Sequence, residues 1–139
     1  MNMLKLIVGL KGSGKTKTIV ALANERIESA KGSVVFVEKG TKLIHEISYH
    51  AKLLDVDEYK VSGGDQLYSY IAGIYGGNHD VTDIYIDSAL KICNNDMNAF
   101  SDFLDKCIAL SDSHGICITM TSSVKKEDVP EKYHQYIIN

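Results

Sequence analysis

Eight residues near the start of this chain, Gly9-Leu10-Lys11-Gly12-Ser13-Gly14-Lys15-Thr16, fill every specified position of the pattern G-x-x-x-x-G-K-[ST]. A short apolar run that reads as a strand, Leu4-Lys5-Leu6-Ile7-Val8, precedes them. After them Ile19, Val20, Ala23, Ile27 and Ala30 recur at roughly helical spacing, and the helix is expected to stop at a left-handed Gly32. Strand, glycine turn and helix in this order narrow the fold sharply. Glycines let successive backbone N–H groups turn inward around a phosphate chain, while the helix presents the positive end of its dipole to the same anion. In that geometry Lys15 reaches the β- and γ-phosphates and Thr16 ligates Mg²⁺. Gly9, Leu10, Lys11, Gly12, Ser13, Gly14 and Lys17 complete the expected cradle.

The remaining pattern alternates. Ser33–Val37 is a continuous apolar run of the kind buried on both faces of a parallel sheet, Val81–Ile86 reads as another strand ending at Asp87, and Ile116–Thr121 is a further strand. Thr41–Ile47 reads as a short helix and Ala51–Val56 as a strand. Ser62-Gly63-Gly64-Asp65 starts a helix that Gly76-Gly77 closes, and Asn95-Asp96 caps another with Met97, Phe100, Phe103, Leu104, Cys107 and Ile108 along one stripe. In the tail, Asp128 is placed to cap a helix with Pro130 in its first turn. The expectation is an α/β fold: a three-layer parallel sheet of about five strands with helices on both faces, in a RecA-like strand order.

At 139 residues, 45% hydrophobic and with one proline, the chain fits a single domain over residues 1–139. A net charge of −3 and lysines scattered singly or in pairs argue against nucleic acid as a partner. No stretch is long enough to span a bilayer and no signal-peptide pattern opens the chain, so a cytoplasmic location without membrane contact is expected. Cys93, Cys107 and Cys117 are odd in number and lack C-x-x-C spacing, which favours free thiols. The five histidines show no metal-ligand spacing.

A phosphate loop of this kind needs a carboxylate at the end of a neighbouring strand to hold the magnesium shell. Ile84-Tyr85-Ile86-Asp87 supplies one, 72 residues after Lys15, although an aspartate ending a strand also caps a following helix. The next residue is Ser88, so no glutamate follows Asp87 to act as base. Val34-Val35-Phe36-Val37-Glu38 ends in a carboxylate 23 residues after Lys15, and Glu38-Lys39-Gly40 reads equally as a polar turn.

At these residues the sequence resembles the RecA-type P-loop ATPases, in which a catalytic glutamate closes the strand after the P-loop helix. The resemblance implies that Glu38 polarises the attacking water, a role contributing about 10²–10⁴-fold in rate. It also implies a γ-phosphate sensor at the end of the strand inserted between the P-loop strand and the Asp87 strand, where Thr121 or Ser122 stands. As a whole, the chain resembles small stand-alone bacterial ATP-binding proteins, some of them labelled twitching-motility ATPases. A pilus retraction motor has an additional N-terminal domain and Asp- and His-box motifs for which this chain has no room.

Missing residues narrow the chemistry. Arg26 is the sole arginine, eleven residues beyond Lys15 on one helix and so roughly 16 Å away at about 1.5 Å per residue. Kinases use arginines from a lid on the transferring phosphoryl group, so a small-molecule kinase is the weaker reading. Lys11, Lys39, Lys125 and Lys126 are candidate substitutes, without the planar bidentate fork of arginine. The guanine-reading [NT]-K-x-D is absent, as is a glycine after Asp87 where a GTPase switch needs one. The favoured reading is therefore a Mg·ATP-binding protein with slow hydrolysis, raised by self-association or a protein partner. The alternatives are a kinase whose acceptor binds near Glu38 and the Thr41–Lys60 segment, and a non-catalytic nucleotide-sensing module. Among the tyrosines, Tyr133 and Tyr136 in the tail are candidates to stack on adenine.

Overall fold

Parallel pairing organises the whole chain. The computed structural model describes residues 3–139. Strands β1 (Leu4–Gly9), β2 (Ser33–Glu38), β3 (Lys52–Asp55), β4 (Val81–Ile86) and β5 (Cys117–Ser123) form one sheet in the order β1-β5-β4-β2-β3. All of its ladders are parallel, so every strand ends at the same border. Chain order and sheet order differ in the way expected from the sequence: β5 lies between β1 and β4, with Ile7 opposite Thr121 and Ile86 opposite Met120.

Four helices cover the sheet: α1 (Lys15–Ser29), α2 (Gly64–Gly77), α3 (Ala89–Ile92) and α4 (Met97–His114). Strand side chains alternate between faces, and two separate cores follow from that period. On one face Ile7, Val34, Phe36 and Tyr85 pack against Ile19 and Ala23 of α1. On the other, Leu6, Val8, Val35, Val37, Ile84 and Ile86 pack against Leu67 and Ile71 of α2 and Phe100, Phe103 and Leu104 of α4. The inner strands are buried on both sides, which is why Val34–Val37 of β2 reads as an unbroken apolar run. Asp96 caps α4 as expected, accepting from Asn98 N and Ala99 N. Cys93, Cys107 and Cys117 are free, the first two buried.

Four local expectations fail. Gly32 is not left-handed; α1 ends at Ser29 with Ala30 extended, and glycine is needed because a Cβ at position 32 would overlap the Asp80 carbonyl. Residues 41–47 form turns rather than a helix. One helical bond, Ile47 N to Leu43 O at 3.1 Å, is present, but Asn24 of α1 takes the Glu46 carbonyl at 2.8 Å and the Ser48 N–H at 2.9 Å. The tail holds two 3₁₀ segments, Lys126–Asp128 and Glu131–Tyr136, and Asp128 caps no helix. Its path is set by Tyr133, whose buried ring places its hydroxyl on Ser101 O (3.0 Å) and Asp105 Oδ1 (2.7 Å) of α4. Finally, α3 was not expected; it is one turn long and follows a left-handed Ser88.

Beyond the tail turns the chain runs along the outer border of β1. Ile137 bridges Leu6 in parallel, Ile138 N donates to Leu6 O at 2.9 Å, and the Asn139 amide clamps Val8. Its Oδ1 accepts from Val8 N at 3.0 Å and its Nδ2 donates to Val8 O at 2.7 Å.

Candidate functional site

The glycine loop joins β1 to α1 at the strand-end border. Gly12 and Gly14 have φ of +86° and +85°, a region that side chains with a Cβ rarely enter. No atom crowds either position, so backbone conformation and not space demands glycine there. The first turn of α1 has no capping side chain and no acidic residue, and it carries Lys15 and Lys17 instead. Cations at the positive end of a helix dipole are unfavourable unless an anion offsets them. Lys15 Nζ donates to the Leu10 carbonyl at 3.0 Å.

Asp87 stands at the centre of the border. The Thr16 hydroxyl lies 3.2 Å from both of its oxygens, and the Thr121 hydroxyl donates to Oδ1 at 2.7 Å. Thr121 Oγ1 in turn accepts from Ser88 N, also at 2.7 Å. Helix α1, strand β5 and the turn after β4 therefore meet on one carboxylate. Ser88, at φ +66° and ψ +46°, turns the chain away directly after it. Strain of this kind concentrates where a site over-determines the backbone. Thr121 is buried and its hydroxyl hydrogen is committed to Asp87, which makes it a holder of that carboxylate. Ser122 Oγ donates to the Thr121 carbonyl, and Ser123 lines the cleft.

Glu38 ends β2, beside β4, and is only 4% exposed. Burial pushes its carboxyl above the ordinary range, the Leu43 N–H bonded to it pulls the other way, and the charges of Asp55 and Asp87 add to the rise. Leu43 N donates to Glu38 Oε2 at 3.3 Å, so the side chain also organises the turn behind it. Glu38 and Asp87 share a cleft of about 720 Å³ with Gly12, Gly14, Lys15, Thr16 and Thr121. A hollow of about 940 Å³ between α1 and residues 44–50 contains none of these groups.

Several residues outside the motif join the cleft. Lys42, Lys91, Asn95 and Ser123 line it with Lys11 and Lys39, whereas Lys125 and Lys126 do not. Lys42 and Lys91 were missed because no motif specifies them; their closeness to Glu38 and Asp87 in sequence was the available signal. Arg26 is engaged elsewhere, its Nε 2.9 Å from the buried Asp83 carboxylate. Tyr133 is buried against α4 and does not line the cleft, which removes it as a stacking partner for adenine.

No group of three or more His, Cys, Asp or Glu side chains among the described residues could hold a metal ion alone. The oxygen-only set of Thr16 and Asp87 suits a hard cation such as Mg²⁺, which takes one or two protein oxygens and completes its shell with phosphates and water. The donor chemistry therefore fits magnesium carried in with a phosphate ligand.

No family model matches this chain, and no curated protein does. Among solved structures, that of C. elegans PCH-2 is similar over the whole of this chain, with a TM-score of 0.58 and 14% sequence identity. The chain spans 35% of that protein's length. At this identity the likeness concerns architecture, and it agrees with the parallel sheet and flanking helices in giving a P-loop NTPase-like α/β fold. No helix of the described residues is long and apolar enough to cross a membrane.

Proposed function

We propose that the chain binds Mg·ATP in the cleft at the strand-end border and hydrolyses it slowly. The observation that carries this reading is the convergence of Thr16, Thr121 and Asp87 beside a left-handed glycine loop, inside a cleft also walled by Glu38. Open parallel sheets bind their ligands at this border. Lys15 exchanges the Leu10 carbonyl for phosphate oxygens, a charge-assisted contact in place of a neutral one. Magnesium, when bound, would supply positive charge to offset that of the phosphates, with Thr16 and Asp87 as the residues that would hold it. Thr16 and Asp87 hold that side of the ligand, and Thr121 fixes the Asp87 carboxylate. Glu38 accepts the proton of the attacking water, and its raised basicity serves that task. Water's oxygen bonds to the γ-phosphorus as the bond to the bridging oxygen breaks, leaving ADP and phosphate.

Titration calorimetry with wild-type protein and Lys15→Ala tests the site. Lys15→Ala is expected to weaken Mg·ATP at least tenfold, about 1.4 kcal/mol or more. Unchanged affinity in a folded variant refutes the assignment. Incubation with ATP tests the reaction: release of free phosphate supports hydrolysis, and phosphate appearing on an added acceptor instead identifies a kinase.

A further inference from the structure

Charge is spread unevenly over this molecule. The chain carries a net charge of −3, yet six of its fourteen lysines line the one cleft, facing two carboxylates, Glu38 and Asp87. These lysines differ in their surroundings. Lys11, Lys15 and Lys17 belong to the glycine loop and the first turn of α1. Lys39 is paired with Asp57 at 2.6 Å. Lys42 and Lys91 come from other walls, one from the turn behind Glu38 and the other from α3. Neither ammonium has an ion-pair or hydrogen-bond partner among the described residues.

Two unpartnered cations held against a lysine-lined loop repel it, and an anion between them reverses the sign of that interaction. The chain's one arginine cannot serve. Arg26 is bound to Asp83, four residues before Asp87 and so roughly 13 Å back along β4 at about 3.3 Å per residue. We infer that Lys42 and Lys91 contact the terminal phosphate of a bound nucleoside triphosphate from the side opposite the glycine loop. They supply, within one chain, the positive charge that an arginine would otherwise supply. The inference rests on the nucleotide reading above. It makes hydrolysis independent of a partner's arginine, and a lysine's point charge in place of a bidentate fork fits a slow reaction.

The test compares Mg·ADP with a Mg-bound, non-hydrolysable ATP analogue by calorimetry, in wild type and in the double variant Lys42→Ala, Lys91→Ala. Both side chains are exposed, so folding is unaffected, and a melting curve checks this. Wild type is expected to bind the analogue more tightly than ADP. The double variant should lose at least tenfold in analogue affinity while its ADP affinity stays within threefold. Single-turnover phosphate release should fall with the analogue affinity, and Lys91→Arg should retain the preference for the triphosphate. A double variant that keeps the analogue-to-ADP ratio within twofold overturns the assignment and leaves the nucleotide site standing. Wild-type protein that binds neither nucleotide overturns both.

Discussion

Glu38 is where the chemistry of a single side chain can be tested without disturbing the fold. Glutamine keeps its size and can still accept from Leu43 N, so Glu38→Gln should leave Mg·ATP affinity nearly intact. Single-turnover hydrolysis should drop roughly 10²-fold, the usual scale for loss of a general base. An equal rate in the variant removes Glu38 from the reaction. The same residue sets a pH signature. Its carboxyl titrates above its ordinary 4.5, chiefly through burial, so its contribution to stability is present below that value and is lost as pH rises through the raised folded value. Glu38→Gln has no such loss. Denaturation midpoints measured upward from about pH 4.5 should therefore show wild type falling relative to the variant, and a constant difference would contradict the buried carboxylate.

At the level of elements, β4 is tied to α1 and to β5 through two carboxylates. Asp87 meets Thr16 and Thr121 at its carboxyl end, and Asp83 meets Arg26 of α1 nearer its start. Asp83 is 3% exposed and keeps only the Thr82 hydroxyl if the guanidinium is removed. Arg26→Ala should accordingly cost about 1–3 kcal/mol in urea unfolding, the range for stranding a buried polar group, and Arg26→Ala, Asp83→Ala together should cost less than the two losses added. This coupling was not visible in the sequence, because 57 residues separate its partners. What was visible had a period or a stereochemical demand behind it. Apolar runs marked all four of the longer strands, and Gly12 and Gly14 marked a left-handed loop. Gly32 misled because close approach to Asp80 and a helix stop use the same residue. Thr41–Ile47 misled because Asn24, distant in sequence, fixes the turn at the Glu46 carbonyl and the Ser48 N–H. At the site, Lys42 and Lys91 became readable only once the sheet order had brought their walls together.

Seen entire, the sheet has two unlike borders. At β1 the tail pairs with Leu6 and clamps Val8, the residue just before the glycine loop. Deleting residues 137–139 strands the backbone of a buried Val8, so thermal and urea unfolding should show a loss of about 1–3 kcal/mol. Asn139→Ala alone should give part of that loss, and a truncated chain as stable as wild type would show that the strap contributes nothing. At the other border β3 has no further ladder partner among the described residues. In the language of polymers, such a unit is monofunctional for edge-to-edge growth. The tail, by occupying Leu6 and Val8, blunts one of the two edges at which a further strand could pair and leaves β3 as the open one.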